Sequence, residues 1–95
     1  MKAFISGPMT GHKNYNREAF ARAAKELRKQ GHDVFNPGEL PDGHDYDWYM
    51  RICERQIESC AVVVMLKGWQ DSAGAMREYD KAIECGVQTM DWWGV

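Results

Sequence analysis

Six consecutive apolar residues, Ala61-Val62-Val63-Val64-Met65-Leu66, place the strongest constraint on what this 95-residue chain can fold into. Three of them are β-branched, and no polar residue alternates with them. A run this short and this uniformly apolar reads as a central strand covered on both faces. Such a strand needs a helical layer on each side, and the rest of the chain supplies the helices. Lys2 to Ser6 reads as another buried strand, stopped by Gly7-Pro8. From Arg17 to Gln30, Ala19, Phe20, Ala23, Ala24 and Leu27 recur at helical spacing, with Asn16 as the expected N-cap and Gly31 as the terminator. His32 to Asn36 is a second strand, broken by Pro37-Gly38. Asp45 is placed to cap a second helix whose inner stripe is Tyr49, Ile52, Cys53, Ile57 and Cys60. Ala73 to Cys85 reads as a third helix with Ala75, Met76, Tyr79, Ala82 and Ile83 inward, and Val87 to Met90 as a last short strand.

Strands that alternate with helices call for a parallel sheet with right-handed crossovers. The expected fold is therefore α/β and doubly wound, Rossmann-like or flavodoxin-like. It has four parallel strands in order 2-1-3-4, the first helix on one face and the other two opposite. Residues 1–95 form a single domain in this scheme, with no internal repeat or linker.

Charge and composition remove several classes of function. Twelve Lys and Arg stand against fourteen Asp and Glu, and they are mixed along the helices, so no basic patch for duplex nucleic acid is expected. No apolar run reaches the roughly 18 residues a membrane helix needs. Met1 leads straight into a strand-like segment without a secretory signal, so a cytoplasmic location is expected. Cys53, Cys60 and Cys85 are an odd set with no CxxC and no histidine at ligand spacing. They read as reduced thiols, with no disulfide framework, metal site or cofactor expected.

In a doubly wound sheet, ligands lie outside the C-terminal strand ends where the strand order reverses. Here that point falls between strands 1 and 3, and two loops meet there. Ser6-Gly7-Pro8-Met9-Thr10-Gly11 reads either as a plain turn or as a loop whose backbone N–H groups hold a phosphate or sugar hydroxyl. In the other loop, Ser72 suits the N-cap of the third helix, as an ordinary cap or as part of an anion site. Gly74 and Ala75 precede Glu78 by about one turn, leaving room for a ligand to reach its carboxylate; a merely solvated glutamate is the alternative. Trp69 either stacks on a base or closes the end of the core, and Tyr46, Trp48 and Tyr49 supply further rings, Tyr49 in the core. Asp71 and Asp47 are the other nearby carboxylates. Adjacent Trp92 and Trp93 in an extended tail face opposite ways, which points to a homo-oligomer, a dimer or larger.

With these residues in view, the chain resembles the nucleoside 2-deoxyribosyltransferase superfamily, and within it the short phage and bacterial members of unassigned function. The markers are Phe4-Ile5-Ser6-Gly7-Pro8-Met9-Thr10-Gly11, Asn36-Pro37, Gly68-Trp69 and Asp71-Ser72-Ala73-Gly74-Ala75-Met76-Arg77-Glu78, spread over nearly the whole chain. The resemblance implies cleavage or exchange of the N-glycosidic bond of a deoxynucleoside or deoxynucleotide. It places the nucleophile on Glu78, a sugar or phosphate contact on Ser72, and a site lining on Ser6 to Met9. Two positions depart from the family pattern: Phe4 stands where relatives carry Tyr, and Ala61 where they carry Asp. A second function therefore stands beside the first, a binding module that sequesters or senses a nucleotide-derived ligand without turning it over.

Overall fold

The elements form in the expected order, in a computed structural model that describes residues 1–92. They are β1 (Lys2–Ser6), α1 (Arg17–Lys29), β2 (Asp33–Phe35), α2 (Tyr46–Glu58), β3 (Val62–Met65), α3 (Ala73–Glu84) and β4 (Gln88–Asp91). The four strands are all parallel and lie in the order β2-β1-β3-β4. All four residues of β3 are buried, as its composition requires.

The pleat divides the core into two layers, because alternate residues of a strand point to opposite faces. Ala3, Ile5, Val62 and Val64 pack with Phe20, Ala23, Ala24 and Leu27 of α1. Phe4, Val63 and Met65 pack with Cys53 and Ile57 of α2 and with Ala75 and Ala82 of α3. Ser6 is paired with Met65 across β1 and β3 and shares the parity of Phe4, which directs its side chain into the α2/α3 layer.

Three local expectations are corrected. Asn16 does not cap α1 with its side chain; its backbone is left-handed (φ 61°), and Nδ2 donates instead to the Pro8 carbonyl at 2.9 Å. On α3 the buried positions are Ala75, Glu78 and Ala82, while Met76 and Ile83 are 38% and 57% exposed. Two alanines let the helix approach the sheet closely on their own side, which turns the larger Met76 and Ile83 outward. On α2 the same kind of rotation buries Met50 and leaves Tyr49 and Ile52 half-buried. Trp92 donates its backbone N–H to the Met65 carbonyl at 2.8 Å and packs against the α1-side core; Trp93 lies outside the described residues.

Candidate functional site

Local sequence brings three segments together at the C-terminal edge of the sheet. After β1 the chain passes so close to β3 that a Cβ on Gly7 would lie 2.8 Å from Leu66 Cβ. Only glycine fits there. After β3, Gly68 takes a left-handed conformation (φ +86°) and feeds a 3-10 turn at Trp69–Asp71. Ser72 then caps α3, its Oγ accepting from the Ala75 N–H at 3.2 Å, and Asp45 caps α2 by accepting from Trp48 N–H at 2.8 Å. The loops and the two helix N-termini enclose a cavity of about 800 Å³.

Glu78 lies in its lining and is only 7% exposed. Ser6, fully buried, donates its hydroxyl to Glu78 Oε1 at 2.6 Å, and the Cys53 thiol is a second donor from α2. Burial pushes the Glu78 carboxyl up to about 7, although the Ser6 and Cys53 hydrogen bonds pull the other way. The neighbouring Arg77 contributes little, because its guanidinium bonds Glu54 at 2.9 Å on the outer surface. Burial raises the Cys53 thiol too, and the nearby Glu78 carboxylate adds to this, so the thiol stays protonated as a donor. The result is a carboxyl held by neutral donors in an apolar wall, poised to carry either a negative charge or a proton near neutrality.

The structure gathers most of the residues expected here, but not all. Gly7, Met9, Asp71, Ser72, Gly74 and Glu78 line the cavity, with Ser6 directly behind Glu78. Pro8 is buried and outside the lining. Trp69 is outside it as well: its ring stacks on Tyr79 at 4.8 Å, and Nε1 donates to Asp91 Oδ1 at 3.2 Å. Of its two roles it takes the core-closing one, since the left-handed turn at Gly68 delivers the ring against α3 and β4. Asp47 is exposed on the outer surface, 4.0 Å from Arg77. Tyr49 is a wall residue rather than core, its hydroxyl donating to the Pro41 carbonyl at 2.6 Å.

Several lining residues escaped the sequence. Tyr15, Arg17, Asp42, His44, Met50 and Cys53 all border the cavity. Arg17 and Asp42 form an ion pair between the start of α1 and the loop before α2, and His44 stacks on Trp48 with centroids 3.6 Å apart. For the aromatic group, the cluster of rings around Asp45 was the available signal. For Arg17 and Asp42, distant in sequence and ordinary in composition, there was none.

A family model described as a domain of unknown function, DUF4406, matches residues 1–91. A search of curated sequences returns no match. Among solved structures, a 2-deoxyribosyltransferase from the psychrotolerant bacterium Bacillus psychrosaccharolyticus is similar, with a TM-score of 0.75 at 17% identity over 96% of this chain and 71% of that one. At that identity the similarity establishes a shared fold.

Proposed function

The chain belongs to the DUF4406 family, and we propose that it cleaves or exchanges the N-glycosidic bond of a nucleoside or nucleotide through Glu78. The observation that carries this reading is the Glu78 carboxyl itself, buried in the wall of a ligand-sized cavity at the switch point and fixed by Ser6 at 2.6 Å. Loss of a base leaves an oxocarbenium-like sugar, which a carboxylate can trap. One Glu78 oxygen bonds the anomeric carbon as the C–N bond breaks, and that bond's electron pair leaves with the base nitrogen. The departing base takes up a proton, for which Asp71, His44 and Tyr46 in the lining have the chemistry. Water, or the nitrogen of a second base, then displaces Glu78 to give hydrolysis or exchange. The free N–H groups at the start of α3, beyond the Ser72 cap, suit a phosphate or sugar oxygen.

The two departures from the family pattern bear little on this cavity. Phe4 is fully buried and stacked on Phe35 at 5.6 Å. Ala61 precedes β3, its N–H donating to the Lys2 carbonyl at 2.8 Å. That is the N-terminal edge of the sheet, a strand's length of roughly 13 Å from the cavity edge. For a homo-oligomer, the contact we favour includes exposed Met76 and Ile83 on α3, and light scattering tests it. Among the described residues no helix is long and apolar enough to cross a membrane.

The test is a chromatographic assay for free base released from deoxynucleosides and deoxynucleotides, with and without a second base as acceptor. Accumulation of free or exchanged base is the expected result. Binding without release across the panel would overturn the catalytic reading and leave a binding module.

A further inference from the structure

Asn14, Tyr15 and Asn16 form one turn of left-handed helix, with φ of 51°, 54° and 61°. None is glycine, and a bulky aromatic residue rarely adopts this conformation, whereas asparagine tolerates it. Burial of the ring does not account for it, because Tyr15 is 54% exposed. The turn is held from outside. Asn16 Nδ2 donates to the Pro8 carbonyl at 2.9 Å and Arg17 Nη1 donates to Asn14 Oδ1 at 3.2 Å. The Arg17 guanidinium also lies 5.2 Å from the centroid of the Tyr15 ring and is itself anchored by Asp42. Strained backbone that the surroundings hold in place gathers at ligand sites. Here the strain delivers an aromatic ring to the edge of the cavity that Glu78 lines.

We propose that Tyr15 is the platform on which the base of the nucleoside or nucleotide stacks, with Arg17 holding the ring in position. This rests on the function proposed above, and it assigns the ends of the ligand: sugar at Glu78, base at Tyr15. Trp69 is not available for the role, since it is stacked on Tyr79. Tyr46 also borders the cavity, but it sits on a regular helix with its hydroxyl leaning over Gly74. No backbone distortion is spent on presenting it.

Calorimetry with the four 2′-deoxynucleoside 5′-monophosphates, and with 2-deoxyribose 5-phosphate as the same ligand lacking a base, tests this. Stacking on an aromatic side chain is worth about 5- to 150-fold in affinity. Tyr15→Ala should weaken the preferred nucleotide by that factor and leave the sugar phosphate unchanged, and Tyr15→Phe should bind like the wild type. Unchanged nucleotide affinity in Tyr15→Ala overturns the inference alone. So does an equal loss for nucleotide and sugar phosphate, or a wild type that binds both alike. A wild type that binds none of these probes, and none of the four unphosphorylated 2′-deoxynucleosides, overturns the proposed function and this inference with it.

Discussion

The two faces of this one sheet follow different rules. Against α1 the sheet contributes Ala3, Ile5, Val62 and Val64, and the helix answers with Phe20, Ala23, Ala24 and Leu27, so the interface is wholly apolar. Against α2 and α3 the same pleat presents Phe4, Val63 and Met65, but also Ser6, and α3 answers with Glu78 between Ala75 and Ala82. The first face has only burial to offer and stabilises the fold. The second holds a carboxyl that burial drives up from an ordinary 4.5 to about 7, so the folded chain binds more protons than the unfolded chain between those values. Its stability therefore falls as pH rises through that window, by an amount on the order of 3 kcal/mol. A fold that carries such a cost on one face depends on the other for compensation.

The largest expected effect breaks the functional face. Glu78→Gln keeps the shape of the side chain but removes the charge that, in the proposed reaction, supports the sugar cation. Base release should fall by about a thousandfold or more, corresponding to ~4 kcal/mol or more of lost transition-state stabilisation. An equal rate in the variant would remove Glu78 from the reaction and with it the functional contrast between the faces. In the wild type, kcat/KM should rise with pH through about 7 as Glu78 ionises; a profile flat from about pH 5 to about pH 9 would show that ionisation of Glu78 in this range does not control the reaction.

Truncation on the apolar face comes next in size. Leu27→Ala should cost about 2–5 kcal/mol in denaturant unfolding, with the same cost at acid and neutral pH. Base release per folded molecule should hold. A marked pH dependence of that cost would mean the two layers are coupled.

The same Glu78→Gln change sharpens the contrast from the stability side. At a pH above 7 it should raise the unfolding free energy by about 1–3 kcal/mol, and the gain should shrink as acid protonates the wild-type carboxyl. A variant less stable than the wild type in alkaline solution would show that the Ser6 and Cys53 hydrogen bonds to the anion outweigh its burial. The smallest effect belongs to the mouth of the cavity. Ser72→Ala should weaken a deoxynucleotide by about 1–2 kcal/mol in calorimetry. Unchanged affinity would reduce Ser72 to a helix cap.

Local regularities in the chain settle the architecture. The apolar run at Ala61–Leu66, the punctuation at Gly7-Pro8 and Pro37-Gly38, and the helical spacing of Ala23, Ala24 and Leu27 dictate elements through nearest-neighbour chemistry. The handedness of crossovers then leaves few ways to assemble them. The same logic put two loops at the switch point, but spacing alone left Ser72 as an ordinary cap and Glu78 as a solvated glutamate; only the family resemblance implied their roles.

What lay beyond reach was rotation about each axis and contact between distant segments. Periodicity says that α3 has an inner face but fixes it only to within about one residue, or 100°. Whether Met76 or Glu78 turned inward depended on how closely Ala75 and Ala82 let the helix approach the sheet. Strand parity puts Ser6 on the side of Phe4, yet only the packed layers show that this is the side from which Glu78 and Cys53 arrive. The left-handed turn under Tyr15 is likewise invisible in Asn14-Tyr15-Asn16, because it is imposed by Pro8 and Asp42 through Asn16 and Arg17. The sequence by itself determined the elements and their order, since those follow from interactions along the chain. Only the tertiary structure decided which side chains meet, because burial and hydrogen bonding between remote residues are properties of the assembled fold.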